Sequence, residues 1–292
     1  MQKSEKKLNY GPLMGLIALH IGAILALFTF SWTAFWITVV LFWLTSGLGV
    51  CLGYHRLLTH RSFKCPKFLE YFLTVFGTVS SQGGPINWVA THRYHHINSD
   101  KEGDPHSPRD GFFWSHMLWF LKHSPVWDND DFRARYAPEM MRDRVHRFLN
   151  RFEWVSPWIV GFVLYLWGGW SFILWGIFLR TVATLHTTWF TNSASHKWGY
   201  RTYETTDNSR NLWWVAIFGF GEGWHNNHHA FQYSARHGLR WWEFDMTYMT
   251  IKILSFFKLV NSIRLPNLAF ARLTKPALSA NNLPQEKAFK TS

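Results

Sequence analysis

The sequence predicts an all-α integral membrane protein in which four transmembrane helices, arranged as two hairpins, carry a helical cap on the cytoplasmic side. Residues 8–54 contain no Asp, Glu, Lys or Arg, and residues 154–195 contain one charged residue, Arg180. Each run is long enough for two helices of the roughly 20 residues that cross a bilayer. The remaining segments are polar and strongly basic. This pattern favours a single membrane-embedded domain over residues 1–275.

The interruptions within the two apolar runs set the boundaries of the predicted spans. Trp32 and Trp36 lie near the middle of the first run, where an aromatic belt marks a membrane interface. Gly168 and Gly169 divide the second run. The predicted spans are residues 12–30, 32–53, 154–168 and 171–192.

The distribution of charge predicts the orientation of these spans. With four spans, both termini and both long polar segments face one side, and every Lys and Arg except Arg180 lies there. Because cytoplasmic segments carry an excess of basic residues, that side is predicted to be the cytoplasm. The first apolar run is too long for the core of a cleaved signal, so we expect a retained membrane anchor.

Two further segments have their own predictions. Residues 71–91 also lack charge, but the polar stretch 80–85 is poor material for a lipid-facing helix. A fifth span there would also place His55 and His60 across the membrane from the later histidines, so we expect this segment on the membrane or buried in protein. The polar tail, residues 276–292, is predicted to be disordered.

The 16 histidines are clustered in a way that predicts a metal centre. Two HxxHH triplets can each direct three imidazoles from one helix face, because residues at i, i+3 and i+4 are neighbours there. Imidazole suits Fe, Cu, Zn and Ni, whereas the two cysteines, Cys51 and Cys65, form no CxxC pair. Nine histidines are too many for one metal ion and about right for two. These candidates are His55, His60, His92, His95, His96, His196, His225, His228 and His229.

The order of these clusters and spans resembles the membrane fatty-acid desaturases of the Δ9 type. The resemblance covers residues 11–266. Its most specific pieces are Gly-Tyr-His-Arg-Leu-Leu-Thr-His-Arg at 53–61, Asp-Pro-His at 104–106, Gly-Phe-Phe-Trp-Ser-His at 111–116, Asn-Ser-Ala-Ser-His at 192–196 and Gly-Glu-Gly-Trp-His-Asn-Asn-His-His at 221–229.

The resemblance implies roles for individual residues. Gln82, Trp88 and Trp189 match positions near the family's acyl tunnel, and Asn192 matches a residue that reaches an iron through water. The family's reaction uses two iron ions, O₂ and two electrons to insert a cis double bond. Five histidines match the ligands of one iron and four match those of the other. The first set is His55, His60, His92, His96 and His228; the second is His95, His196, His225 and His229.

One departure from the family pattern concerns the substrate. Animal acyl-CoA desaturases grip the CoA headgroup with an Asn after the tunnel Gln and an Arg-Asp pair before the second cluster. This chain has Gly83 and Ala90-Thr91 at those positions. The stretch 229–243 is instead similar to cyanobacterial and plastid-type relatives. The resemblance therefore implies a stearoyl or palmitoyl chain esterified to a membrane glycerolipid, with reduced ferredoxin as a separate electron donor. It also implies a bacterial or cyanobacterial plasma or thylakoid membrane.

Three other readings are kept as alternatives. The same reaction on acyl-CoA requires headgroup contacts from other residues, such as Lys122. A membrane di-iron alkyl hydroxylase would share the histidine layout and differ in its product. A histidine-rich metal transporter or sensor would place ionisable residues inside its spans, where this sequence has almost none. The apolar runs exclude a nucleic-acid-binding protein.

Overall fold

The computed structural model describes residues 8–122 and 129–270. These residues form helices and loops, with four isolated β-bridges and no named strand among them. The predicted disorder of residues 276–292 concerns residues outside these ranges. By length and composition three helices could cross a membrane, and they are Tyr10–Thr29, Trp32–Thr59 and Val155–His196.

The first apolar run forms two helices, and the second of them is longer than the predicted span. Helix α1, Tyr10–Ala26, ends in a 3₁₀ turn, and α2, Trp32–Phe42, begins where the Ser31 hydroxyl accepts the Ala34 N–H at 3.1 Å. Helix α2 continues without a break as a π-helix, Trp43–Thr59. The helix therefore extends beyond residue 53, the predicted end of the span, through His55 to Thr59, and His60 follows as its C-cap. Extended π-helix is rare and is associated with functional sites.

The second apolar run folds back on itself at the predicted glycine pair. Within α8, Val155–Ile173, Gly168 and Gly169 leave the helical conformation, and Gly169 has a φ of +63°, which a glycine adopts without strain. Beyond the break, Gly176 lies directly against Leu164, so the chain has reversed direction. The run continues through the π-helix Leu174–Leu179, α9 (Arg180–Ser193) and the 3₁₀ turn Ala194–His196.

Arg180 is the charged residue inside the second apolar run, and it is fully buried. Its guanidinium donates to the carbonyl oxygens of Val79 at 2.8 Å and Gly176 at 3.1 Å. A buried donor without a partner costs free energy, and these hydrogen bonds offset part of the cost of burying the guanidinium. Arg180 thereby ties α9 to the end of α3.

The charge-free stretch 71–91 becomes two helices. Helix α3, Lys67–Val79, and α4, Pro85–Asn98, are 13 and 14 residues long and are separated by a loop, so neither spans a bilayer. Helix α3 packs closely on the π-helix Trp43–Thr59, where a side chain at Gly49 would meet the backbone of Phe76 and Gly77 at about 2.5 Å. The expectation of a segment packed on protein agrees with this arrangement.

The helices outside the apolar runs form a layer over the ends of α2 and α9. The buried core of this layer includes Leu52, Leu73, Val89 and Ile251. Its remaining helices are α5 (Asp130–Tyr136), α6 (Pro138–Arg142), α7 (Arg144–Arg151), α10 (Trp213–Phe218), α11 (His225–Ala230) and α12 (Met246–Phe256), with short turns at Pro108–Asp110, Trp114–Leu118 and Trp119–Leu121.

Candidate metal centre

The structure brings all nine predicted histidines together in two groups. They come from the end of α2, from α4, from α11 and from the turn that follows α9. Within each group, one nitrogen from every imidazole lies within 4.8 Å of the others. The five-histidine group contains His55, His60, His92, His96 and His228, and the four-histidine group contains His95, His196, His225 and His229.

The five-histidine group has the spacing that one metal ion requires. The Nε2 atom of His228 lies 3.2 Å from that of His55 and 3.0 Å from that of His96, and the His96 Nε2 lies 3.0 Å from the His92 Nε2. A single proton cannot satisfy so many converging nitrogens. Imidazole nitrogens about 2.1 Å from one divalent ion, at right angles to each other, stand about 3 Å apart. The donor set therefore fits a metal ion.

The four-histidine group is backed by carboxylates. The Nδ1 atoms of three of its histidines face acidic side chains: His95 faces Asp104 at 2.8 Å, His229 faces Asp207 at 2.6 Å and His196 faces Asp100 at 3.2 Å. A carboxylate on Nδ1 holds the proton there, so the Nε2 lone pair points into the group, as metal-ligating histidines require. The His225 and His196 Nε2 atoms meet at 3.0 Å.

Burial and neighbouring groups keep the imidazoles neutral and the carboxylates ionised. Burial lowers the pKa of His228 and His225 well below the usual value, and neighbouring histidines lower it further. Burial alone would raise the pKa of Asp207, but His229 and local hydrogen bonds lower it overall. Neutral imidazole beside ionised carboxylate is the state that binds a metal cation.

A buried charge network supports the five-histidine group. The Glu222 carboxylate lies 2.7 Å from His55 Nδ1 and pairs with Arg56 at 3.1 Å, and Arg56 also pairs with Asp245 at 2.9 Å. His237 Nδ1 lies 3.1 Å from the same Glu222 oxygen. Burial opposes ionisation of Glu222, but Arg56 above all lowers its pKa well below the usual value.

Sequence reasoning missed most of these supporting residues. Asp104 belongs to a motif that was singled out, and Glu222 stands three residues before His225, a spacing that places a carboxylate near a ligand. Asp100 and Asp207 lie in loops with no comparable signal. His237, which belongs to none of the three histidine clusters of the sequence, is fully buried with its ring centroid 4.4 Å from that of His228.

The predicted acyl-tunnel residues line a cavity of about 540 Å³ that reaches the histidines. The Gln82 amide donates to Thr188 Oγ1 at 2.9 Å, and Trp88 stacks on His92 at 4.8 Å between centroids. Trp189 forms part of the opposite wall, and Asn192 lines the cavity beside His225. Gln82, Trp88 and Trp189 are thus all placed where an apolar chain could approach the centre.

Fold and site together define a helical membrane protein with two histidine groups, each fit to hold a metal ion, at a largely apolar cavity. The family model for fatty acid desaturases matches residues 12–252. The chain therefore belongs to the fatty acid desaturase family and is an oxidoreductase of the desaturase type.

Three relatives place the chain within that family. It is 49% identical to an sn-1 stearoyl-lipid 9-desaturase of Anabaena variabilis over 264 residues, covering 90% of this chain and 96% of the relative. It is 46% identical to an sn-2 palmitoyl-lipid 9-desaturase of Nostoc sp. (strain 36), covering 84% and 86%. It is 42% identical to an acyl-CoA 5-desaturase of Anemone leveillei, covering 93% and 83%.

Proposed function

We propose that this protein inserts a cis double bond at the Δ9 position of a saturated acyl chain esterified to a membrane glycerolipid. One O₂ takes up two electrons, two protons and the two hydrogens removed from adjacent methylenes, and leaves as two waters. The observation that carries the proposal is the placement of two complete imidazole groups at the foot of an apolar cavity.

We propose that the two groups hold two iron ions, one in each, with Asn192 contributing through water to the four-histidine group. Bound iron supplies the O₂ activation that side chains lack. The chain's own residues do the rest. Asp104, Asp100 and Asp207 hold the Nδ1 protons of three ligands, and Glu222 does the same for His55.

The cavity supports an acyl substrate. Trp88 and Trp189 offer apolar faces, while Gln82 is fixed by its bond to Thr188 and by the Trp88 indole N–H, 3.4 Å from its amide oxygen. Fixed walls hold a flexible chain in one bend and register, which removes much of the entropic cost of choosing one methylene pair. This restraint is the source of positional selectivity in the proposal.

The membrane arrangement follows from the second apolar run. A straight helix of the 42 residues in Val155–His196 would be about 63 Å long, twice the roughly 30 Å hydrocarbon core. Because the run reverses at Gly168–Gly169, we propose four crossings, with termini and metal centre on the cytoplasmic side of a bacterial or cyanobacterial plasma or thylakoid membrane. The net charge of +12 suits an acidic electron donor, which we propose is ferredoxin.

The choice of lipid over CoA follows from the sequence departure and from the relatives' names. Gly83 and Ala90-Thr91 replace the headgroup-gripping residues of animal acyl-CoA desaturases. Two relatives above 45% identity are named as acyl-lipid enzymes. A relative at 42% is named as an acyl-CoA enzyme, so acyl-CoA is the alternative that the experiment must separate.

The test is expression in a bacterium that supplies ferredoxin and lacks Δ9 desaturation, followed by mass spectrometry of double-bond positions. New Δ9 monounsaturated chains are expected. The purified protein is then given labelled stearoyl-glycerolipid in nanodiscs or labelled stearoyl-CoA. Conversion of the CoA ester alone would overturn the lipid assignment, and hydroxylated chains in place of alkenes would overturn desaturation itself.

A further inference from the structure

Three histidines outside both groups form a continuous hydrogen-bonded chain. His20 Nδ1 lies 2.8 Å from the Leu16 carbonyl oxygen, and His20 Nε2 lies 3.0 Å from His186 Nε2. The other His186 nitrogen, Nδ1, lies 3.0 Å from His116 Nε2. The chain ends on Ser193, whose Oγ is 3.0 Å from His116 Nδ1 and 2.8 Å from the Trp189 carbonyl oxygen. Because each ring uses both nitrogens on different partners, the three cannot converge on one metal ion.

This chain of three imidazoles joins the three elements that build one wall of the cavity. His20 belongs to α1, His186 to α9, and His116 to the turn Trp114–Leu118. Those elements meet in a small apolar cluster that contains Trp189. The members of this cluster that also line the cavity are Leu16, Leu19, Phe120, Leu185 and Trp189.

Trp189 is in direct contact with the chain. Its ring centroid lies 5.2 Å from that of His186 and 5.7 Å from that of His116, and its other neighbour, Phe120, stacks on it at 5.2 Å. An aromatic ring held on one face by a ring stack and on the other sides by hydrogen-bonded imidazoles has little freedom to rotate. The three hydrogen-bonded imidazoles therefore hold the Trp189 ring, and with it one wall of the cavity, in place.

The two ends of the imidazole chain are backbone carbonyl oxygens, which can only accept. The Leu16 oxygen accepts from His20 Nδ1, and the Trp189 oxygen accepts from the Ser193 hydroxyl. The imidazole chain is therefore tied to the backbone of α1 at one end and to the backbone of α9 at the other.

The surroundings of His116 favour its neutral form. Burial, and His186 after it, lower the pKa of His116 to about 4. Lys197 lies over the ring of Phe112, which in turn stacks on His116. Within the described part of the chain, no carboxylate hydrogen-bonds any of the three imidazoles.

We propose that His20, His186 and His116 are positioning residues that fix Trp189 against the acyl chain and so set which methylene pair faces the metal centre. The proposal rests on the proposed function, and it assigns positional selectivity to a hydrogen-bonded imidazole chain. Glutamine can replace His186 within it, because its amide nitrogen donates at one end and its amide oxygen accepts at the other. Phenylalanine can fill the same space and can do neither.

The experiment compares His186→Phe with His186→Gln in the full-length chain, with His146→Phe as a matched control. His146 is also buried, but it lies in α7 against Tyr71, away from the cavity. The Phe variant is expected to lose about 10-fold or more in turnover, the scale on which small misplacements act. Its products should include double bonds at neighbouring positions. The Gln variant and the control should keep the wild-type position.

Poor folding alone would lower the amount of product and leave its position unchanged. A single Δ9 product from His186→Phe would therefore overturn the proposal, and so would scattered products from the His146 control. If the wild type made no double bond, the proposed function would fail, and the chain would still be tested by ¹⁵N NMR of histidine-labelled protein in nanodiscs. Variants would assign the signals. Protonation of His20 on Nδ1 is expected, and a His20 protonated on Nε2 alone would overturn the proposed chain.

Discussion

The two histidine groups differ in how their imidazoles are supported. The five-histidine group has one carboxylate on an Nδ1 atom, Glu222 on His55. The four-histidine group has one fewer imidazole but three such carboxylates, Asp100, Asp104 and Asp207. The five-histidine group therefore has more imidazoles, and the four-histidine group has more carboxylates behind its imidazoles.

This difference indicates that the two groups would bind a cation by different means: one with more imidazoles, the other with fewer imidazoles that are better supported. A carboxylate behind an imidazole fixes its ring and raises its basicity, so each ligand binds a cation more strongly. Four supported ligands can therefore match five less supported ones. The cavity reaches both groups, since His55 and His92 of the five-histidine group and His225 of the four-histidine group line it.

The largest expected effect is from His228→Ala, which would break the five-histidine group at its centre. The Nε2 atom of His228 lies within 3.2 Å of two other ligand nitrogens, so its removal opens the group on both sides. We expect loss of desaturation and of one of two irons per chain, measured by product analysis and metal content. Retention of both irons would contradict the division into two groups. His146→Ala is the control that should keep both.

Glu222→Gln should damage the fold as well as the metal site. Glu222 neutralises the fully buried Arg56 in addition to holding His55. Removing one partner of a buried ion pair typically costs about 3–5 kcal/mol. We expect a lower melting temperature even for metal-free protein, measured by thermal unfolding in detergent. An unchanged metal-free melting temperature would show that Asp245 alone can balance Arg56.

Asp207→Asn should affect metal binding with less harm to the fold. Asp207 holds His229 Nδ1 at 2.6 Å and balances no buried arginine. Loss of such support typically lowers metal affinity or activity about 10–100-fold. Iron titration of the purified variant would measure this loss of affinity. If metal-free Asp207→Asn and Glu222→Gln were destabilised equally, the expected difference in fold stability between the two groups would be contradicted.

The smallest effect is expected at Asp143, a carboxylate outside both groups. It caps α7 by accepting the N–H groups of Val145 and His146, and it binds Lys67 at 3.0 Å. Asp143→Ala should lower the free energy of unfolding by about 1 kcal/mol, as loss of a helix cap does, and leave iron content unchanged. Loss of iron in this variant would show that carboxylates act on the centre only through general stability.

The same residue gives a pH dependence with a definite sign. Burial alone would raise the pKa of Asp143, but Lys67 and the α7 backbone lower it to about 2, below the ordinary value of 3.8. A depressed folded-state pKa contributes stability that is present above 3.8 and is lost as the pH falls through about 2. The difference between wild type and Asp143→Ala should shrink on acidification, as measured by denaturant unfolding. A difference that grew at low pH would contradict this assignment.

Particular elements show how far the sequence could be read. The break at Gly168–Gly169 was predictable, because two adjacent glycines in an apolar helix favour a reversal. The end of α2 was not, because the π-helical extension to Thr59 is stabilised by packing against α3 and by the buried Arg56 network. The HxxHH triplets predicted most of the histidines that the two groups bring together, since a helix alone fixes which residues share a face. The carboxylates behind them come from distant loops, and helical periodicity carries no information about those.

The sequence by itself determined the membrane class, the apolar hairpins and the nine candidate ligands of this desaturase, because hydropathy and helical spacing are local properties of the chain. Only the tertiary structure decided the support of those ligands and the imidazole chain behind Trp189. His20 and His186 are 166 positions apart, and Arg56 and Asp245 are 189 apart. Partners at such distances are selected by packing, and no local pattern encodes them.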